Sequence, residues 1–129
     1  MPTLADIMRP ELIEVAPEDT LGEVAARMTE LNVGAVVVKD FGRLIGILTE
    51  RDMLQAMAER VHTSEARVRQ WMTEDPITAG ADTEVEDAAQ VMLERGFRHL
   101  PIVDETGGVI GLVSLRRVVA ATKRAAGHA

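Results

Sequence analysis

The apolar positions of the chain fall into two runs laid out on one plan. In the first, Ile13-Glu14-Val15 predicts a short extended piece, and Pro17-Glu18-Asp19-Thr20 turns the chain into a helix. Leu21, Val24, Ala25, Met28 and Leu31 follow the i, i+3, i+4, i+7 spacing of an amphipathic helix. Thr20 and Glu23 have capping-box spacing, in which hydroxyl and carboxylate each satisfy an orphan N–H of the first turn. Asn32-Val33-Gly34 stops the helix. Ala35-Val36-Val37-Val38 is continuously apolar and too short for a helix, so it predicts a buried strand. Phe41-Gly42-Arg43 turns the chain into a second strand over 44–48, and a helix from about Thr49 is expected to carry Met53, Leu54 and Met57 inward.

The second run repeats this order. Ile77 is extended, a helix over roughly 84–95 opens with Thr83 and Glu86 three apart, strands follow near 100–103 and 109–113, and a helix closes the chain. An offset of 64 positions sets Met8 on Met72, Ile13 on Ile77, Ala25 on Ala89 and Met28 on Met92. After one inserted residue the offset is 65, and Gly42 meets Gly107, Gly46 meets Gly111, Thr49 meets Ser114 and Arg51 meets Arg116. Two copies are too few for a solenoid, so a pair of like units packing together about a pseudo-two-fold axis is expected. The order β-α-β-β-α, twice, predicts an α/β fold with α+β character. Each mixed sheet is expected to carry helices on one face and to pack sheet to sheet on the other. The division expected is 1–62 and 63–129, together one compact module, with Val68-Arg69-Gln70-Trp71-Met72 echoing Leu4-Ala5-Asp6-Ile7-Met8.

The motifs in this frame are Asp6-Ile7-Met8, Val36-Val37-Val38-Lys39-Asp40 and Gly46-Ile47-Leu48-Thr49-Glu50-Arg51-Asp52. Their partners are Trp71-Met72-Thr73, Arg98-His99-Leu100-Pro101-Ile102-Val103-Asp104 and Gly111-Leu112-Val113-Ser114-Leu115-Arg116-Arg117. In this order and spacing the chain resembles a tandem pair of CBS (cystathionine-β-synthase) domains over about 5–123. The resemblance implies a regulatory module that binds an adenosine-containing ligand in a cleft between paired units. AMP, ADP or ATP is the expected choice, with S-adenosylmethionine and NAD as further members of the class. It implies that ribose meets Asp52 and phosphate meets Thr49, in a site also drawing on Ile47, Gly34, Ala35, Ile77, Ala79, Arg98 and His99. Where the second copy departs from that pattern, Ser114, Arg117 and Leu112, with Ile13 and Val15, make a candidate second site, for an anion.

Side-chain chemistry supports part of this independently. A carboxylate offers two acceptor oxygens to a cis-diol. The start of a helix presents orphan N–H groups to an anion, and Gly34 and Gly46 permit close backbone approach. Thr49-x-x-Asp52 is equally a capping box that needs no ligand. The readings are compatible, because a capping Asp has a second oxygen. The second copy has Arg117 where the first has Asp52, and a guanidinium has no acceptor for a diol. Arg116 and Arg117 in a first helical turn each cost about 0.3–1 kcal/mol unless an anion or solvent offsets them. One ribose-competent site, with a second empty or reserved for anions, is therefore expected. Arg98 and His99 replace Gly34 and Ala35. The resemblance makes them a basic wall for a phosphate; the plainer alternatives are an Arg98 ion pair and a half-buried strand histidine. Trp71, matching Ile7, is expected to pack at the junction of the units, and His62 and His128 to be exposed.

Composition narrows the function classes. With 47% hydrophobic and 27% charged residues the chain is globular, and with 2% aromatic its core is aliphatic. Fourteen Lys and Arg against 21 Asp and Glu give a net charge of −7, which disfavours sequence-independent nucleic-acid binding. There is no cysteine, so disulfides, thiolate metal sites and thiol nucleophiles are excluded, and three scattered histidines make no metal spacing. No apolar run approaches the roughly 18 residues of a membrane span, and the start lacks signal-peptide character, so a cytoplasmic location is expected. No P-loop, G-x-G-x-x-G or G-x-S-x-G occurs, so no enzyme and no cofactor beyond the regulatory ligand is expected. The function expected is an adenosine-nucleotide sensor; the alternative is a ligand-free dimerisation scaffold. Apolar residues on more than one stripe, at 53–57 and 118–121, predict a homodimer.

Overall fold

The computed structural model describes residues 1–127, and His128 lies outside the described residues. The chain opens with a single turn of helix, α1 (Leu4–Ile7), followed by β1 (Glu14–Val15), α2 (Leu21–Leu31), β2 (Ala35–Asp40), β3 (Arg43–Thr49) and α3 (Glu50–Ala58). Then come a second short helix, α4 (Val68–Trp71), and β4 (Thr73–Glu74), β5 (Ala79–Gly80), α5 (Val85–Arg95), β6 (His99–Val103), β7 (Val109–Ser114) and α6 (Leu115–Gly127). These form two compact units: residues 13–76, the first unit, and residues 1–12 with 77 onward, the second unit. They differ from the halves 1–62 and 63–129 by an exchange of leading segments.

In the first unit the sheet runs β1-β2-β3-β4. Its centre is the apolar run at 35–38, buried at all four positions. β1 pairs in parallel with β2 across α2, and β2 pairs antiparallel with β3. α2 begins as its sequence predicts: the Thr20 hydroxyl accepts from the Glu23 N–H at 3.2 Å and donates to its carboxylate at 2.9 Å. It ends at Asn32, in the left-handed conformation with φ 54°. Leu21, Val24 and Met28 face the core with Val36, Val38 and Leu48. β4 lies antiparallel on β3 with Glu74 opposite Gly46, an addition that two residues of polar sequence do not announce. α3 departs from expectation. Asp52 and Ala56, four apart, form its buried stripe, Met53 is half-buried, and Leu54 and Met57 are 66% and 68% exposed. The cap at Thr49 fixes the phase of the helix, and that phase turns 54 and 57 outward.

In the second unit the sheet runs β5-β6-β7, with β5 parallel and β7 antiparallel to β6. Leu4 is wholly buried here, among Val85, Met92, Leu100, Ile102 and Val118. α5 starts after Glu84, with no side-chain bond at its cap, so the expected Thr83–Glu86 box is not formed. The chain's own start takes its place: the Val85 N–H donates to the Pro2 carbonyl at 3.1 Å, and the Leu4 N–H to the Thr83 carbonyl at 2.9 Å.

Candidate functional site

β3 runs into α3 without a loop, so the last strand residue, Thr49, is also the cap of the helix. Its backbone N–H and hydroxyl both donate to Asp52 Oδ2, at 2.9 and 3.1 Å, and the Asp52 N–H donates back to the hydroxyl at 3.3 Å. Asp52 is 9% exposed. Its bonds within the chain all use Oδ2 and none uses Oδ1 among the described residues. No fully buried side-chain oxygen or nitrogen there lacks a partner. The free Oδ1 therefore reaches the surface although the residue as a whole is buried.

The neighbouring strand ends are drawn to the same point. Ala35 lies opposite Thr49 in register, and the Glu50 N–H donates to the Gly34 carbonyl at 3.0 Å. A Cβ on Gly34 would stand 2.8 Å from Glu50 Oε1, a contact that the flexible glutamate side chain relieves by turning aside. Ile47 is buried between Val37 and Thr73. Gly34, Ala35, Ile47, Thr49 and Asp52 are thus gathered at one end of the first unit's sheet. Val15 belongs to that unit's core, and the Ile13 carbonyl accepts from the Val37 N–H.

The second unit builds the same junction with different side chains. His99 lies opposite Ser114, the Leu115 N–H donates to the Arg98 carbonyl at 2.7 Å, and the Arg117 N–H donates to Ser114 Oγ at 3.2 Å. The Arg117 guanidinium donates to the Ile7 carbonyl at 3.0 Å, at the C-terminal end of α1. A carbonyl thus takes the part for which a phosphate, a carboxylate or solvent was expected. Arg98 is exposed and in no ion pair among the described residues; the pairs present are Lys39–Glu14 at 3.0 Å and Arg69–Glu18. His99 is half-buried at the first position of β6. Ala79 pairs with Ile102, Leu112 bridges to Arg9, and Ile77 is 38% exposed. Ile77, Ala79, Arg98, His99, Leu112, Ser114 and Arg117 all belong to this unit.

Elsewhere, Trp71 is half-buried on the first unit's core and His62 is exposed. Among the described residues no cluster of three His, Cys, Asp or Glu stands ready for a metal ion. No described helix is long and apolar enough to cross a membrane. A groove of about 450 Å³ runs between α2 and α3, lined by Met28, Met53, Leu54 and Met57, with Glu50 and Asn32 on its polar side. Of these, Met28, Met53, Leu54 and Met57 are expected inward from the sequence. The signal for the groove was the second apolar stripe of α3, once Asp52 and Ala56 are recognised as the inner one.

Two stretches of the chain, 4–59 and 68–124, match the family model of the CBS domain. A 17.7 kDa uncharacterised protein of Acidianus ambivalens is 40% identical over 114 residues, which cover 88% of this chain and 68% of that protein. Among solved structures, CBSX2 of Arabidopsis thaliana in complex with AMP superposes with a TM-score of 0.76 at 29% identity, covering 96% of this chain and 98% of that one. The CBS domain pair of the protein MJ0100, in complex with 5'-methylthioadenosine and S-adenosylmethionine, gives 0.84 at 26% identity, covering 93% and 98%. With the strand–cap–helix junction built twice and two family matches spanning nearly the whole length, the chain belongs to the CBS-domain family, as a tandem CBS pair.

Proposed function

We propose that the chain is a regulatory module that binds an adenosine-containing ligand, holding the ribose diol at Asp52. The carrying observation is the division of labour within that carboxylate: Oδ2 closes the cap of α3 and Oδ1 is left open. AMP, 5'-methylthioadenosine and S-adenosylmethionine, the ligands of the two related structures, share an adenine and a ribose diol but not a phosphate. A site that recognises what they share needs a diol acceptor first. Arg117, already bonded to the Ile7 carbonyl, has no acceptor to offer, so one diol site per chain is the reading. AMP, ADP or ATP is our first choice of ligand, ahead of S-adenosylmethionine and NAD. The response is a ligand-dependent change of conformation, which requires unequal affinity for two arrangements and not binding alone. The module acts as a regulator and not as a catalyst, and it works as a homodimer, in which exposed Leu31, Leu54 and Met57 find cover.

Thermal unfolding with AMP, ATP, NAD and S-adenosylmethionine tests this reading. A ligand at 100 times its dissociation constant adds about 2.7 kcal/mol of stability. Asp52→Asn is expected to fold and to lose that gain. No shift with any of the four ligands on the unmodified protein would leave the ligand-free scaffold as the better reading.

A further inference from the structure

A pocket of about 400 Å³ opens in the first unit, where the segment after α3 meets α4. Val61, Ala66 and Trp71 supply its apolar wall, and His62, Glu65 and Gln70 its polar one. It lies at the far end of the unit from Asp52. The Leu21 and Gly22 N–H groups, at the start of α2, donate to the Ala66 and Thr63 carbonyls. The other end of α2 leads to Gly34, whose carbonyl accepts from the Glu50 N–H beside Thr49. The eleven residues of α2 put roughly 16 Å between these ends. Nor does the pocket follow from the duplication: Trp71 is the chain's one tryptophan, and Ile7 stands in its place in the second unit.

The lining leaves its chemistry unspent. Trp71 packs on the first unit's core and also borders the pocket. Glu65 is exposed and is the only Asp, Glu, Lys or Arg in the lining. Its carboxylate is in no hydrogen bond or ion pair among the described residues. Two cations close to it in sequence are engaged elsewhere: the Arg67 guanidinium donates to the Glu18 carbonyl at 2.9 Å, and Arg69 pairs with Glu18. Gln70 accepts the Arg67 N–H on its amide oxygen at 2.9 Å, which leaves its NH2 group to donate.

We infer that this pocket is a binding site for a small organic cation that carries a hydroxyl or carbonyl oxygen. The charge sits between the Trp71 ring, whose quadrupole attracts a cation within about 6 Å of its face, and the Glu65 carboxylate. The oxygen accepts from the Gln70 NH2 group. An anion would meet Glu65 with no lysine or arginine in the lining to offset it. The volume falls within the range of about 300–1,000 Å³ usual for small-molecule sites.

Choline is the probe, with its neutral carbon isostere as the control, both at fixed ionic strength. Choline is expected to change Trp71 fluorescence saturably and to shift the Gln70 backbone amide in NMR spectra, and the isostere to bind about fivefold more weakly. Glu65→Gln, made on an exposed side chain, is expected to weaken choline by about fivefold and to leave the isostere unaffected. Trp71→Phe keeps a ring and should keep part of the affinity, whereas Trp71→Leu, followed by the Gln70 amide, should not. Saturating AMP is expected to leave choline in place, because Asp52 lies at the other end of the unit. No saturable response to choline, an isostere that binds as well, an unaltered affinity in Glu65→Gln, or displacement by AMP would each overturn the inference.

Discussion

At Asp52 two roles meet in one side chain, and substitution can separate them. Thr49→Ala removes the helix cap and is expected to lower stability by about 1 kcal/mol, read by chemical denaturation. Asp52→Asn keeps one oxygen for the cap but has no second carboxylate oxygen for a diol. It is therefore expected to cost no more than about 1 kcal/mol, the worth of a negative charge in a helix's first turn, while losing at least tenfold in adenosine affinity, read by calorimetry. An unchanged affinity would remove the ribose assignment. Asp104, in the β6–β7 turn, is a second residue whose environment speaks. The Thr106 hydroxyl, followed by the backbone N–H groups of Gly108 and Thr106, holds its carboxyl below the ordinary aspartate value of 3.8. A depressed value means that the turn's stabilisation is complete above pH 3.8 and is lost as pH falls through the lower, folded-state value. An NMR titration should find the midpoint below 3.8, and Thr106→Ala should raise it. Thr49 and Asp52 were legible in the sequence because a cap and its N3 partner are three residues apart. The partner of Arg117 was not, because Ile7 lies 110 positions away.

Among elements, the long helices and the four longer strands follow from the pattern of apolar positions, and the two-residue edge strands do not. β1, β4 and β5 each have two residues, too few to show any alternation. Their places are set by neighbours. β4 rests on β3 at Gly46, where a Cβ would stand 2.6 Å from Met72 Sδ and 3.0 Å from the Thr73 carbonyl oxygen. The second unit repeats the contact at Gly111, with Met8 Sδ at 2.5 Å and the Arg9 carbonyl oxygen at 3.2 Å. A methionine can swing aside and a backbone carbonyl cannot, so the glycines hold the edge segments at their close distance. Gly46→Ala is expected to cost about 1–3 kcal/mol. The N–H of Asp75, which donates to the Ile45 carbonyl at 3.2 Å, should lose hydrogen-exchange protection first. Adding Met72→Ala should return part of the loss, so the double variant should fall short of the sum of the two.

Across the whole molecule, each sequence repeat lends its leading segment to the other repeat's unit. The bonds that fix this are duplicated residue for residue at the repeat offset. Leu4 N–H donates to the Thr83 carbonyl and Val68 N–H to that of Asp19; Ala5 N–H donates to Ala81 and Arg69 N–H to Pro17. Val85 N–H donates to Pro2 and Leu21 N–H to Ala66. Leu4 and Val68 each bury completely against the core they join. Self-alignment showed that the chain is double, but it assigned each leading segment to the repeat that follows it, because nothing in a linear pattern records a crossing. Crossing has a mechanical consequence. A fragment cut at the sequence repeat, 1–62, keeps α1, which its core does not use, and loses Val68, Met72 and β4, which it does. The fragment 13–76 keeps all three and is expected to unfold cooperatively in urea, whereas 1–62 is expected to show no cooperative transition. In the intact chain, Leu4→Ala should cost about 2–5 kcal/mol, as removal of a fully buried leucine side chain does. Its loss of hydrogen-exchange protection should appear in α5 and β6, some 80 to 100 positions along the chain, before it appears in α2, the next helix along the chain. Protection lost first in α2 would mean that the leading segment serves its own repeat after all.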